Sequence, residues 1–120
     1  MAKTVLFVYG SLKTGQASNH LLAAQDFLGP ARTLPLYRLR LVDWYAGLVL
    51  DRANGLAVHG ELWAVDDDTL ARLDEYEGAP GLFAREAIAV ADRFGEVQAY
   101  VFQGVVPADA PSGDRWPFPV

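Results

Sequence analysis

The sequence predicts an α+β fold in which short strands form a small mixed β-barrel, closed or nearly closed, with two short flanking helices. Two observations lead to this prediction. Most apolar segments are short, strand-like and separated by turn residues, and only two stretches have the spacing of a helix. Residues 5–9 form an unbroken apolar run, which is typical of a strand buried in the middle of a sheet.

The composition is that of one domain with its own hydrophobic core. The chain has 120 residues, 52% of them hydrophobic, so two separate domains would each be too small. We therefore expect a single domain over residues 1–120, with an irregular tail from about residue 104. The sequence contains no cysteine, which excludes thiol nucleophiles, disulfides and thiolate metal sites.

The charge distribution argues against nucleic-acid and membrane partners. The formal net charge is −5 and lysine and arginine do not cluster, so a footprint for a phosphate backbone is missing. The first apolar run is too short for a signal peptide or a membrane span, so we expect a cytoplasmic location. His20 and His59 lack further ligands at metal-binding spacing, and no metal site is expected.

Two elements are predicted between the first strand and the middle of the chain. Ser18 or Asn19 can cap a short helix over residues 20–24. Apolar and polar residues then alternate over residues 37–41, which indicates a half-buried strand.

The Asn-Gly pair at residues 54–55 predicts a hairpin. It follows the apolar run 48–50 and precedes the segment 56–65, so we expect these two segments to pair. Gly60 lies inside the second arm, where we expect a bulge or a barrel corner.

A last hairpin is predicted to pair residues 85–91 with residues 97–102. The tail beyond it is rich in proline and glycine. Trp116 and Phe118 indicate that this tail packs against the domain.

The corner after the first strand is the first candidate site. Gly10 and Ser11 end the apolar run abruptly, and such a corner directs several backbone N–H groups at one point. It can bind a carboxylate or a developing oxyanion without a charged side chain. An ordinary turn after a buried strand is the alternative interpretation.

The second candidate is Glu77, near the end of a short helix that acidic residues precede and a glycine follows. Leu70 and Leu73 define the buried stripe of this helix, and helical spacing directs Glu77 between them. Burial, the negative end of the helix dipole and the like charge of Asp74 would each raise its pKa. Glu77 would then suit a general base near neutral pH, unless this is a solvated helix end.

Together, these two features resemble the γ-glutamylcyclotransferase family, and most closely its γ-glutamylamine cyclotransferase, or AIG2-like, branch. The motifs are Tyr-Gly-Ser-Leu at residues 9–12 and Leu-Asp-x-Tyr-Glu-Gly at residues 73–78. Similarity extends to residues 13–22 and to Gly-Glu-Leu-Trp-Ala-Val at residues 60–65. The resemblance covers about residues 5–90.

The resemblance implies a reaction on a small γ-glutamyl substrate that needs no metal or other cofactor. The α-amine of the γ-glutamyl group attacks its own γ-carbonyl, closes the ring of 5-oxoproline and releases the acylated amine. By resemblance, Glu77 is the catalytic glutamate, which accepts the proton of the α-ammonium and helps to protonate the leaving nitrogen. Tyr9, Gly10, Ser11 and Leu12 match the substrate-binding loop.

Two departures from the family pattern concern the substrate pocket. Phe83 stands where relatives often have tyrosine, and Ala46 where they often have proline. One alternative is therefore a non-catalytic module that binds a small carboxylate metabolite or a partner's tail. The other is a structural domain in which Glu77 pairs with an arginine such as Arg85. Neither the leaving amine nor the oligomeric state follows from the sequence.

Overall fold

The computed structural model describes residues 3–93 and 95–118. In these residues eight strands form one mixed sheet, accompanied by a 3₁₀ helix and one α-helix, as the predicted α+β class requires. In chain order the elements are β1 (Thr4–Val8), the 3₁₀ helix (Asn19–Leu22), β2 (Asp26–Arg32), β3 (Tyr37–Leu41), β4 (Ala46–Leu50), β5 (His59–Val65), α1 (Asp67–Glu77), β6 (Phe83–Ile88), β7 (Val97–Phe102) and β8 (Ser112–Gly113).

The first strand is central, as its composition predicts. The strand order is β2-β5-β1-β7-β4-β3-β8, and β6 also pairs with β7. Side chains of β1 alternate between two hydrophobic clusters. Leu6 and Val8 join the cluster that packs under α1, whereas Phe7 joins the cluster on the opposite face.

Strand β7 changes its partner partway along its length. β6 occupies one edge of β7 over its whole length, so β1 and β4 share the other edge. β1 pairs with β7 at Gln98, and β4 pairs with it at Val101. Among the described residues, β7 has no further backbone pair with β1 or β4 between these two points.

The Tyr9 hydroxyl bridges this gap. It donates a hydrogen bond of 2.6 Å to the carbonyl of Tyr100 on β7 and accepts one of 3.2 Å from the N–H of Leu48 on β4. Burial raises the pKa of Tyr9, which keeps the phenol neutral. The side chain thus supplies the sheet contacts that β1 no longer provides.

The sheet curls until its ends approach one another. Beyond β6, the N–H of Ala91 donates to the carbonyl of Arg32, and the N–H of Leu34 donates to the carbonyl of Ala89. These bonds connect the end of β2 with the segment after β6. The predicted small barrel, closed or nearly closed, is confirmed.

The predicted pairing of residues 48–50 with residues 56–65 is wrong. β4 pairs with β3 and β7, whereas β5 pairs with β1 and β2. A Cβ atom at Gly55 would lie 2.4 Å from the carbonyl oxygen of Pro35 and 2.5 Å from that of Asp51. The glycine therefore lets the loop pack against the start of β3, and the chain leaves the turn toward another part of the sheet.

Gly60 allows a close contact between strands, and the bulge expected there is absent from the β5 register. The irregularity lies in the partner strand β2, between Phe27 and Gly29. A Cβ atom at Gly60 would lie 2.5 Å from Cζ of Phe7 and 2.5 Å from the carbonyl oxygen of Val8. The glycine makes room for the buried ring of Phe7.

The last hairpin is confirmed, with β6 beginning two residues earlier than predicted and ending at Ile88. Residue 94, within its connecting turn, lies outside the described residues. The tail packs down as predicted, because Trp116 and Phe118 contact the cluster around Phe7 and β8 pairs with β3.

Replacing Tyr9 with phenylalanine should lower the free energy of unfolding by about 1–3 kcal/mol, because a buried carbonyl and a buried N–H lose their partner. Urea unfolding at neutral pH measures this change. Tyr45→Phe is the control, because no hydrogen bond of the Tyr45 hydroxyl occurs among residues 3–93 and 95–118. Equal stability of the Tyr9→Phe variant and wild type would contradict the bridging role.

Candidate active site

A cavity of about 250 Å³ opens where β1 ends. Its walls come from the corner at residues 9–12, the end of α1, the loop between β3 and β4, and the start of β6. The corner and Glu77 are brought together because Leu73 of α1 packs in one cluster with Leu6 and Val8 of β1. The two features that the sequence singles out therefore line the same cavity.

Three carbonyl groups of the corner accept hydrogen bonds from the loop that follows it. Their hydrogen bonds run from the Lys13 N–H to Gly10 (3.1 Å), from the Ser18 N–H to Ser11 (2.8 Å) and from the Asn19 side-chain amide to Leu12 (2.8 Å). Within the described part of the chain, the N–H groups of Gly10, Ser11 and Leu12 donate to no protein acceptor. The corner thus keeps free donors beside the cavity, an arrangement suited to a carboxylate or an oxyanion.

Glu61 of β5 holds the loop that follows the corner. Its Oε1 atom accepts hydrogen bonds from the Thr14 N–H at 2.9 Å, the Thr14 hydroxyl at 3.1 Å and the Trp63 indole at 3.2 Å. On the other side, the Lys13 ammonium donates to the carbonyl of Trp116 in the tail. The loop is therefore attached to two separate parts of the fold.

Ser18 and Asn19 organise this loop, and the prediction that one of them caps the short helix is wrong. The helix is 3₁₀, and its N-cap residue Ser18 makes no capping hydrogen bond. The Ser18 hydroxyl instead lies 2.6 Å from the hydroxyl of Tyr76. This contact joins the loop to α1 immediately before Glu77.

Glu77 is the last residue of α1, and the predicted end of this helix at Gly78 is confirmed, whereas the helix begins within the acidic run, at Asp67. The Asp66 side chain caps its start by accepting from the Thr69 N–H at 2.8 Å, and Gly78 ends it with φ of 68°. Burial raises the pKa of Glu77 from 4.5 to about 7. In residues 3–93 and 95–118, no hydrogen bond or ion pair engages its carboxylate. Such a group can exchange a proton with a bound molecule.

Asp74 does not raise the pKa of Glu77, contrary to the prediction. Arg85 donates two hydrogen bonds to Asp74, of 2.9 and 3.0 Å, and the Tyr100 hydroxyl donates a third of 2.7 Å. These contacts hold the pKa of Asp74 below its usual value and bind α1 to β6 and β7. Because Arg85 pairs with Asp74, the alternative in which it neutralises Glu77 is also wrong.

Sequence reasoning missed part of the cavity wall. Tyr76, Leu82 and Tyr100 come from three separate segments, and no local pattern connects them. Phe83 and Ala46, noted as departures from the family pattern, both line the cavity. The Tyr9 hydroxyl, in contrast, is engaged in the sheet.

Neither a cluster of metal-ligating side chains nor a helix able to span a membrane occurs in residues 3–93 and 95–118. No group of three or more histidine, aspartate or glutamate side chains is arranged to hold a metal ion. No helix in this part of the chain has the length and apolar character needed to cross a membrane.

Comparison with known sequences identifies relatives over most of the chain. The family model described as gamma-glutamyl cyclotransferase, AIG2-like, matches residues 6–117. A putative gamma-glutamylcyclotransferase from Vibrio cholerae is 36% identical over 99 residues, which cover 82% of each protein. The human gamma-glutamylaminecyclotransferase is 33% identical over 96 residues, which cover 72% of this chain and 61% of that protein.

Solved structures share the fold. An AIG2-like protein from Mus musculus superimposes with a TM-score of 0.86 at 23% identity, covering 97% of this chain and 89% of the other. The solution structure of ytfP from Escherichia coli gives a TM-score of 0.71 at 30% identity, covering 95% and 96%. Since the family model spans most of the sequence and relatives above 30% identity cover more than two thirds of it, this chain belongs to the γ-glutamylcyclotransferase, AIG2-like family.

Proposed function

We propose that this protein cyclises the γ-glutamyl group of a γ-glutamyl amine or γ-glutamyl amino acid to 5-oxoproline and releases the free amine. The observation that carries the proposal is the partly buried carboxylate of Glu77, which pairs with no group among the described residues, in one cavity with corner N–H groups that donate to no acceptor in residues 3–93 and 95–118. Membership of the family supports a cyclotransferase role. The names of relatives support γ-glutamyl substrates.

In this reaction Glu77 moves a proton within one substrate molecule. It accepts a proton from the α-ammonium, and the resulting amine attacks the γ-carbonyl carbon. A new carbon–nitrogen bond forms, and the carbonyl oxygen becomes an oxyanion. When this intermediate collapses, the bond to the leaving nitrogen breaks, and Glu77 returns a proton to that nitrogen. The ring nitrogen still carries one proton more than the lactam of 5-oxoproline, and this proton passes to the released amine, which leaves as an ammonium ion. No side-chain nucleophile is required, because both reacting groups belong to the substrate.

The 9–12 corner contributes hydrogen-bond donors to the proposed reaction. N–H groups that donate to no protein acceptor can bind the glutamyl carboxylate or the developing oxyanion without first giving up an internal hydrogen bond. Removal of a single such donor typically costs about 100- to 1,000-fold in rate, and a positioned base contributes about 100- to 10,000-fold. The proposed mechanism needs both contributions in one cavity.

Glu77→Gln should reduce 5-oxoproline release by about 100-fold or more, because the amide cannot accept the substrate proton. The measurement is 5-oxoproline formation from a panel of γ-glutamyl amines and γ-glutamyl amino acids. Glu75→Gln is the matched control, since Glu75 is exposed on the same helix and does not line the cavity.

Equal rates for Glu77→Gln and wild type would remove the proposed role of Glu77. Wild-type protein that is thermally stabilised by these compounds but releases no 5-oxoproline would instead support the binding module, which the changed wall residues Phe83 and Ala46 favour.

The value of kcat/KM should depend on the ionisation of free Glu77. It should rise about tenfold per pH unit below pH 7 and level off above it, because the base must be deprotonated to accept a proton. A series of buffers at constant ionic strength measures this profile. A profile that stays flat down to about pH 5 would contradict a base with a raised pKa.

The same carboxyl group should make folding stability depend on pH. Because the native state binds the Glu77 proton more tightly than the unfolded chain, its contribution to stability is lost as pH rises from 4.5 to about 7. The free energy of unfolding of Glu77→Gln, measured relative to that of wild type, should therefore be higher at about pH 8 than at about pH 5 by on the order of 2 kcal/mol. Urea unfolding at both pH values tests this, and an unchanged difference would show that burial does not disfavour the charged form.

A further inference from the structure

The wall of the cavity has a polar part and an apolar part. The polar part consists of the 9–12 corner and Glu77. The apolar part consists of Trp44 and Tyr45 from the loop between β3 and β4, together with Leu82 and Phe83 at the start of β6. A γ-glutamyl group carries a carboxylate, an ammonium and the reacting carbonyl, so it matches the polar part. The leaving amine then faces the apolar part.

The apolar part is built around a row of aromatic rings. Their centroids are 5.1 Å apart for Trp44 and Tyr45, 6.0 Å for Tyr45 and Phe83, and 5.5 Å for Phe83 and Phe102. The row runs from the cavity rim, where Trp44 is 70% exposed, to the core, where Phe83 is 3% exposed. Gly47 lets β4 approach this row, because a Cβ atom there would lie 2.8 Å from Cβ of Phe102.

Trp44 lies in a tight loop between β3 and β4 and contacts Tyr45. The Val42 N–H donates to the carbonyl of Tyr45 at 2.9 Å and closes the loop, while Leu41 and Ala46 pair directly beneath it. The indole meets Tyr45 edge-on, at 82°. A large apolar ring at the rim of a cavity offers contact area to a ligand.

The charges of the cavity favour a neutral leaving group. Among the described residues that line it, Glu77 carries the only acidic side chain, and no lysine, arginine or histidine is present. A carboxylate on the leaving amine would find no opposite charge in this wall and would lie in the same cavity as Glu77. A neutral ring would instead extend the aromatic row.

We infer that Trp44 determines specificity by selecting γ-glutamyl amines whose leaving amine bears a neutral ring. This inference rests on the proposed cyclotransferase function of the same cavity. The substituent packs against Trp44 and Tyr45 while the glutamyl group occupies the polar part. A short alkyl amine gains little from this contact, because it does not extend to the rim.

The experiment compares γ-glutamyl benzylamide with γ-glutamyl methylamide. Both release a primary alkylamine, so the chemistry at the leaving nitrogen is similar and the ring is the main difference. Wild type should prefer the benzylamide by about tenfold in kcat/KM. Trp44→Ala should abolish most of this preference, whereas Trp44→Phe should retain part of it.

Phe27→Ala is the matched control. Phe27 is an aromatic residue that is 51% exposed, and the centroid of its ring lies 5.2 Å from that of Trp63. It does not line the cavity. Its replacement should leave the ratio of the two kcat/KM values unchanged.

Different results would contradict the inference about Trp44 and the proposed cyclotransferase function. If wild type converts both amides equally well, or Trp44→Ala slows both equally, the inference about Trp44 is wrong and the cyclotransferase function stands. If wild type releases 5-oxoproline from neither amide nor from any other γ-glutamyl compound, both proposals are wrong.

Discussion

The hydrogen bonds of the Tyr9 hydroxyl allow β1 to stop in the middle of the sheet. A central strand that ends early would leave buried polar groups unpaired on its neighbour, which is costly. Here the phenol pairs with the carbonyl of Tyr100 and the N–H of Leu48, so β7 passes from β1 to β4 without an orphaned group at that carbonyl. The chain can therefore turn at Gly10 while still beside the core, and the cavity opens at this turn.

A second constraint is that two carboxylates three residues apart on α1 lie in different environments. Asp74 receives two hydrogen bonds from Arg85 and one from Tyr100, so its charge is stabilised and it anchors the helix. Glu77 is partly buried and has no such partner among the described residues, and burial raises its pKa to about 7. Opposite environments thus give two similar acids opposite properties. The arginine that could neutralise Glu77 is already engaged, which leaves the second carboxylate free at the cavity.

The sequence predicted those elements that are determined by residues adjacent in the chain. The bounds of α1 follow from its acidic cap and Gly78, and the central position of β1 follows from its apolar run. The pairing of residues 48–50 could not be predicted in this way, because Gly55 marks a turn without specifying which strand comes next. For the same reason, the two motifs of the cavity were found by sequence, whereas Tyr100, which reaches the cavity through β7, was not.

The polar and apolar parts of the cavity belong to different elements of the fold. The 9–12 corner and α1 carry the groups that would hold and protonate the glutamyl half, and they are attached to one another through Ser18 and Tyr76. The apolar wall comes from the loop between β3 and β4 and from β6. The residues of that wall, Trp44, Tyr45, Leu82 and Phe83, belong to neither the corner nor α1. In the proposed reaction, selection of the leaving amine can therefore vary while the chemistry of ring closure stays the same.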